Sequence, residues 1–502
     1  MQFDEQYDVV VVGYGFAGAM AAIAACDAGA RTLLIEKMSI PGGISICAGG
    51  GLRIAADAEL AFDYLRTTNA GATPDSLLRH FAVEMTQLQG HVTKLARVNG
   101  AKLAVRERAA NYPFSGYDTF SFLEVDSIPG FDARASYPHA HALRTGPNVF
   151  KLLEDNVRAR PIDVRMSCPA RRLISGATGV AGIQVESAGA GRSIGASRGV
   201  VLACGGFEAA PDMQRQYWQL FPVLPAATLG NTGDGVRMAQ SVGADLWHMW
   251  HLHGTYGFRH PDPAYPFGIR TKRLPDWTPD VGRPNVRMAW ILLDRSGRRF
   301  TNEYQPYLQD TGHRALDRFD PDTQRFPSVP AYLLVDEEGR KMYPLATSII
   351  NDPVHQPYAW SQDNLKELET GILKRAHSLA ELARSMQVDV SVLQGTLDRW
   401  NATCATSEPE EFGRPAETRV PIRTPPYYFG EVWPVVSNTQ GGPVHDAAQR
   451  VLDPFGEPIR GLFVAGELGS IWGHLYLSGG NLAECFISGR IAGEEAARRM
   501  RA

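Results

Sequence analysis

The chain has 502 residues, 44% of them apolar and 21% charged, with a formal net charge of −4. That balance belongs to an ordinary globular protein long enough for two domains, and with no basic run it excludes a nucleic-acid partner. No apolar stretch is long enough to cross a bilayer, and the first residues lack the basic-then-apolar shape of a secretory leader, so the expected location is the cytoplasm.

Taken in chain order, Val9 to Val12 form an unbroken β-branched run, the pattern of a buried parallel strand. Gly13, Gly15 and Gly18 follow at GxGxxG spacing. Ala17 to Ala28 then read as a small-residue helix closed by Gly29, and Arg31 to Glu36 as a second strand ending in an acid. The three glycines serve a tight turn, close approach of backbone to a pyrophosphate, and close packing of helix on strand. Phe16 and Ala17 open the helix whose N–H groups face the phosphates, and Glu36, with Lys37 after it, is placed at the ribose diol. A second near-match, "GAGRSIG" from Gly189, is one residue too long and lacks the flanking strand and helix, so it is expected to cap a β-hairpin.

The next stretch, "SIPGGISICAGGGLRI", places Gly43, Ile44, Ser45, Ala48, Gly49 and Gly50 in a glycine-rich loop. Linkers are polar, whereas Ile44, Ile46 and Cys47 are not. A buried loop with many bare N–H groups suits a flat cofactor lying across it, which favours a flavin. Val200 to Ala203 predict another buried strand, ending at Gly205-Gly206 and preceded by a β-meander; such a strand returns the chain to the nucleotide. The segment "LWHMWHLHGTYGFRH" contains His248, His251, His253 and His260 but no carboxylate, so no metal site is expected. Cys26, Cys47, Cys168, Cys204, Cys404 and Cys485 form no CxxC pair and read as buried thiols in a reducing compartment.

Together with "NTGDGVRMAQSVGADL", "DRSGRRFTNE", "NTQGGPVHDAAQRVLDPFGEPIRGLFVAGELGS" and "SGGNLAECFISGRIAG", these segments resemble flavoproteins of the fumarate reductase, succinate dehydrogenase and 3-ketosteroid dehydrogenase superfamily, in that family's order and over nearly the whole chain. The resemblance implies an α/β fold: a Rossmann-like FAD-binding domain built from both chain ends, 1–245 and 425–502, with an inserted α+β substrate-capping domain, 246–424. It further implies that Ala203, Gly205 and Asp234 adjoin the cofactor, that Glu467 binds the FAD ribitol, and that Asn481 and Leu482 open a helix beneath the flavin pyrimidine. Helix N-terminal N–H groups at that point stabilise negative charge on reduced flavin. Succinate dehydrogenases attach FAD covalently to a histidine of the glycine-rich loop. This loop has none, so the FAD is expected to be non-covalent.

The catalytic pattern leans toward the steroid branch. Dicarboxylate members carry arginines at two points where this chain has Leu477 and Tyr307, the latter four residues after Glu303. Δ1-ketosteroid dehydrogenases have a tyrosine four before a backbone-donating glycine, as Tyr476 stands to Gly480; Δ4-(5α) members have Tyr-x-Ser, as in Tyr476 and Ser478. The expected chemistry is dehydrogenation of a ketone, or reduction of an enone, at its α,β bond. Tyr476 and the Gly480 N–H hold the ketone oxygen, Tyr307 moves the α-proton, and hydride passes between the β-carbon and flavin N5. His251, His253 and His474 are candidate substrate-binding residues, and His445 a structural one.

Two alternatives stand beside this reading. One is a reductase of a small α,β-unsaturated acid that uses arginines elsewhere, with Arg53, Arg259 and Arg299 as candidates. The other is a non-enzymatic electron carrier, which the large cap domain argues against. Arginines around the flavin separate the first alternative from the ketone reading. With no haem motif and no second dinucleotide fingerprint, an external electron acceptor or donor is expected; the sequence carries no signal of oligomeric state. Acid precipitation of the yellow protein should release all of its FAD, and colour retained in the washed pellet would reveal a covalent bond.

Overall fold

A computed structural model describes residues 2–187, 189–275, 287–304 and 308–498. In chain order its principal elements are β1 (Glu5–Val12), α1 (Phe16–Asp27), β2 (Thr32–Ile35), β3 (Asp163–Arg165), β4 (Ala190–Leu202), β5 (Leu252–Arg259), β6 (Gly268–Thr271), β7 (Ala331–Val335), β8 (Tyr427–Thr439), β9 (Pro458–Val464) and α2 (Gly480–Ala497).

One sheet runs β9-β4-β1-β2-β3, all parallel, with the short strand Arg450–Leu452 antiparallel at the β9 edge. Val10 pairs with Leu33 on one side and Val200 on the other, and Val200 pairs in turn with Leu462. Strands covered on both faces are expected to read as continuous apolar runs, and Val9, Val10 and Val11 are fully buried. β4 begins as one arm of a hairpin with Gly179–Ser187, and the turn between them holds Gly189.

α1 packs on α2, its residues Phe16 through Ala25 all buried. Beyond the edge-on contact of Phe16 with Phe486, small residues let the two helices approach closely. A methyl group on Gly489 would meet the Ala17 carbonyl at 2.5 Å, and one on Gly493 the Ala21 carbonyl at 2.2 Å. The small-residue pattern that makes α1 a weak amphipath therefore serves close helix approach. The C-terminal helix thus rides on the N-terminal βαβ unit.

A second sheet has the order β7-β8-β5-β6, extended by Ile291–Leu293 beyond β7 and Ala346–Thr347 beyond β6. Its long strand β8 lies past residue 424, so the second sheet reaches Thr439. We propose the two-part division expected from the sequence with this adjustment. Among the described residues no helix is long and apolar enough to cross a membrane, and no group of three His, Cys, Asp or Glu could hold a metal ion.

Candidate active site and cofactor groove

Two connected clefts lie where the sheets meet. The first, of about 860 Å³, runs along the C-terminal ends of β1, β2 and β4. Gly13 makes its turn at φ +105°, and a methyl group there would meet the Ala203 carbonyl at 2.4 Å. Gly18 is equally tight, at 1.8 Å from the Gly13 carbonyl, so it packs the helix and does not face the cleft. Gly15 differs: its nearest neighbour in that direction is Ser45 Oγ at 3.7 Å, on the cleft side. Gly15 is also the N-cap of α1 and supplies no side-chain bond. The first-turn N–H groups of Phe16, Ala17 and Gly18 thus end the helix without a capping side chain, the condition for receiving an anion.

Gly43, Ile44, Ser45, Ala203, Gly205 and Asp234 also line this cleft. Glu36 stands at the end of β2, where its Oε2 accepts the Tyr14 N–H at 2.8 Å and its Oε1 the Met38 N–H at 2.9 Å. Burial raises its carboxyl above the usual range against those two bonds. Lys37 Nζ bonds both Thr232 Oγ1 and Asp234 Oδ2 at 2.6 Å.

The second cleft, of about 1130 Å³, shares Ile44, Ser45, Glu467 and Cys485 with the first and includes Ala48, Gly49 and Gly50. Tyr476, Ser478, Asn481 and Leu482 form one wall and His253 another. Asp310, from the short helix Leu308–Thr311, organises these residues. Its Oδ2 accepts the Tyr476 N–H at 3.0 Å and the Tyr112 hydroxyl at 3.2 Å, and its Oδ1 lies 3.2 Å from His253 Nδ1. Burial alone would raise the Asp310 carboxyl. The His253 bond, with the fields of His253, Arg314 and His251, instead holds it at about 2. Asp310 is therefore an ionised acceptor at neutral pH. Burial lowers the His253 pKa, opposed by Asp310 and aided by Arg270 and Arg273. A neutral imidazole that donates Nδ1–H to a carboxylate carries its lone pair on Nε2. The strand register slips between His253 and Gly254, a bulge of the kind that re-aims a side chain. The rings of His253 and Tyr476 are 4.2 Å apart, and the Tyr476 hydroxyl accepts the Asn481 N–H at 3.2 Å.

Several expected site residues stand elsewhere. The Gly480 N–H, read as a second donor to a ketone, bonds the Leu477 carbonyl at 2.7 Å, because Gly479 at φ +79° closes a turn there before α2. His251 is buried behind the wall with Nδ1 3.3 Å from the Trp472 carbonyl, and burial lowers its pKa to about 3. His474 is exposed, tilted against Trp250. Neither histidine lines the cleft. Ser478 does line it, and its N–H is held by Asn111 Oδ1 at 2.8 Å. Tyr307 lies outside the described residues. His445 bonds the Gly469 carbonyl at 2.9 Å.

The arginines show the largest departure. Arg53 is fully buried and holds the Ser478 carbonyl at 2.8 Å, and Arg299 is locked between Glu303 and Glu410, each at 2.7 Å. Arg259 lies over the Trp433 ring. None of the three reaches the cleft. Arg108, Arg144, Arg270 and Arg273 do, with Glu124 among them. Glu124 pairs with Arg106 at 2.6 Å and Arg144 at 3.7 Å. Arg270 is buried on β6, beside the strand that carries His253.

Residues 8–482 match the family described as FAD binding domain. The chain belongs to this family. Among its relatives, fumarate reductase (cytochrome) of Shewanella frigidimarina is 28% identical over 98% of the chain and 77% of the relative. The 3-oxosteroid 1-dehydrogenase of Mycobacterium tuberculosis (strain ATCC 25618 / H37Rv) is 25% identical over 97% of the chain and 98% of the relative. The crystal structure of 3-ketosteroid delta1-dehydrogenase from Sterolibacterium denitrificans in complex with 1,4-androstadiene-3,17-dione superposes with a TM-score of 0.78 at 23% identity, covering 98% of the chain and 99% of that structure, a likeness of fold. The protein is an FAD-dependent oxidoreductase.

The first cleft fits that cofactor on its own features. Gly15 leaves space where a diphosphate must approach backbone, and α1 offers uncapped N–H groups. Asn481 Oδ1 is buried with no hydrogen-bond partner among the described residues and lies on the wall of the second cleft, next to the first. Gly15→Val should leave a folded protein without FAD, because the added side chain occupies cleft volume. Gly18→Val should fail to fold, because it strikes backbone. Flavin absorbance and far-ultraviolet circular dichroism of the two purified variants check this.

Proposed function

We propose that this flavoprotein transfers two electrons between FAD and the α,β carbon–carbon bond of a carbonyl compound that also carries a carboxylate. The observation that supports the charged substrate is the set of guanidinium groups at the second cleft. Arg108, Arg144, Arg270 and Arg273 line it together with two carboxyls, Glu124 and Glu467, and Glu124 pairs with Arg106 and Arg144. A planar guanidinium recognises a carboxylate with paired hydrogen bonds, and a surplus of such groups in a cleft raises the local concentration of anions.

FAD supplies hydride acceptance or donation at the β-carbon. The protein's own groups manage the oxygen and the proton. The Tyr476 hydroxyl, oriented by the Asn481 N–H, donates to the carbonyl oxygen as its charge grows. His253, held by Asp310 in the tautomer with its lone pair on Nε2, exchanges the α-proton. Tyr307 keeps its place in the proposal as a proton-transfer residue through its position in "NEYQPY". The relatives named for fumarate and for 3-oxosteroids bracket this reading, since both kinds of substrate place an unsaturated bond beside a carbonyl. A neutral ring ketone is the second reading, favoured by Phe122, Leu143 and Ile349 on the same walls.

The dithionite-reduced protein should be reoxidised anaerobically by α,β-unsaturated acids faster than by neutral enones of equal size. Arg270→Met should lower kcat/KM for the acids by the loss of one charge-assisted bond, about 1.5–3 kcal/mol or roughly tenfold to a hundredfold. Enones that react while every acid is inert would remove the carboxylate from the proposal and leave the ketone reading. Tyr476→Phe should cost about 10²–10³ in rate on whichever substrate reacts, with the flavin spectrum unchanged; stopped-flow flavin absorbance measures both.

A further inference from the structure

Two carboxyls, Glu208 and Glu467, are buried together beside the FAD groove. Glu208 is 1% exposed and follows β4; Glu467 follows β9 and stands where the two clefts join. Asn231 Nδ2 reaches both, at 2.9 Å to Glu208 Oε1 and 3.4 Å to Glu467 Oε2. The position a methyl group would take on Gly206 lies 2.5 Å from Glu467 Oε1 and 3.0 Å from Glu208 Oε2, so both oxygens crowd one point. Glu467 Oε1 accepts the Thr439 N–H at 2.8 Å. Glu208 Oε2 is buried and receives no donor from any described residue. Asn231 supplies an amide donor to each carboxyl, and a proton held between the two would supply the donor that Glu208 Oε2 lacks.

The groove itself is acidic. Glu36, Asp234 and Glu467 line it against one cation, Lys37, among the described residues. Lys37 is committed to Asp234 and Thr232. FAD brings a doubly negative diphosphate to this groove. We propose that Glu208 and Glu467 share one proton and that FAD binding depends on it, so that cofactor affinity is linked to proton uptake by this pair.

The sign follows from the charges. Burial raises the Glu208 carboxyl to about 7; burial and the neighbouring Glu208 charge raise Glu467 well above the carboxylate range. A bound diphosphate raises the shared titration further. The proton is present below neutrality with or without cofactor. Above it, binding must take the proton up, and affinity falls as pH rises. The other groups that face the pair do not reproduce this trend. Asn231 and Thr439 do not titrate, and the Cys204 and Cys485 thiols are pushed upward by burial, out of the neutral range. Glu36, raised by burial, is the remaining acid, and it is not part of the pair.

The test is FAD release from the holoenzyme on dilution, read by free-flavin fluorescence at equilibrium from about pH 6 to about pH 9. The wild-type dissociation constant should rise with pH in the upper half of that range, approaching tenfold per unit for one linked proton. Glu208→Gln should retain FAD with a flat profile, because its amide keeps a hydrogen on the pair at every pH; Glu467→Gln should flatten the profile likewise. A wild-type profile that is flat overturns the proposal whatever the variants do. So does a wild-type slope that both variants keep, which would assign it to Glu36. If either variant fails to fold, the infrared carbonyl stretch of a protonated carboxyl in wild-type holoenzyme decides: it should persist across the range, because bound FAD keeps the proton on the pair, and a spectrum without it refutes the shared proton.

Discussion

An ionised carboxylate stripped of water has to be met by donors, and Asp310 draws its donors from three segments that are distant in sequence. The Tyr112 hydroxyl comes from the N-terminal half, the His253 ring from β5 and the Tyr476 N–H from the loop before α2. The bonds that satisfy Asp310 also set the tautomer of His253 and the position of Tyr476. Removing its charge would free three walls of the cleft at once, since a half-satisfied buried polar cluster is worse than none. The geometry of the reacting side is thus fixed by an electrostatic requirement of the interior.

The cofactor side rests on a different constraint, the absence of side chains. α1 can aim its N-terminus into the groove only because Gly18 lets it lie on the Gly13 carbonyl and because Gly489 and Gly493 let α2 lie on α1. Backbone touching backbone leaves little freedom for the helix to slide, so the uncapped N–H groups are held in place by packing. The two halves of the site are preorganised by opposite means: a dense set of polar bonds around Asp310, and close apolar contact around α1.

What the sequence makes legible follows from range. The strand, turn, helix, strand and acid from Val9 to Glu36 are local, so their spacing carries the whole geometry of the groove. Glu467 and Asn481 become readable through family resemblance, which supplies the long-range link. Asp310 does not: in "YLQDTGH" an aspartate reads as a loop acid in water, and its burial depends on partners 57 and 166 positions away. The arginines are harder still. One arginine among 50 basic residues looks like another, and Arg53 and Arg299 turn out to brace loops while Arg108 and Arg270 face the cleft. The Gly480 N–H shows that alignment of a motif does not determine where a backbone donor points, because one positive-φ turn at Gly479 redirects it.

β8 has a mechanical meaning. Its middle is laced to β5 and β7 in the second sheet, and its last residue, Thr439, donates its N–H to Glu467 in the groove wall. A strand is stiff along its length, so it acts as a strut that crosses from one half of the molecule to the other. A swing of the second sheet away from the first would load the bond at Glu467 through that strut. Any displacement of the second sheet along β8 is thus felt at Glu467, in the wall of the cofactor groove.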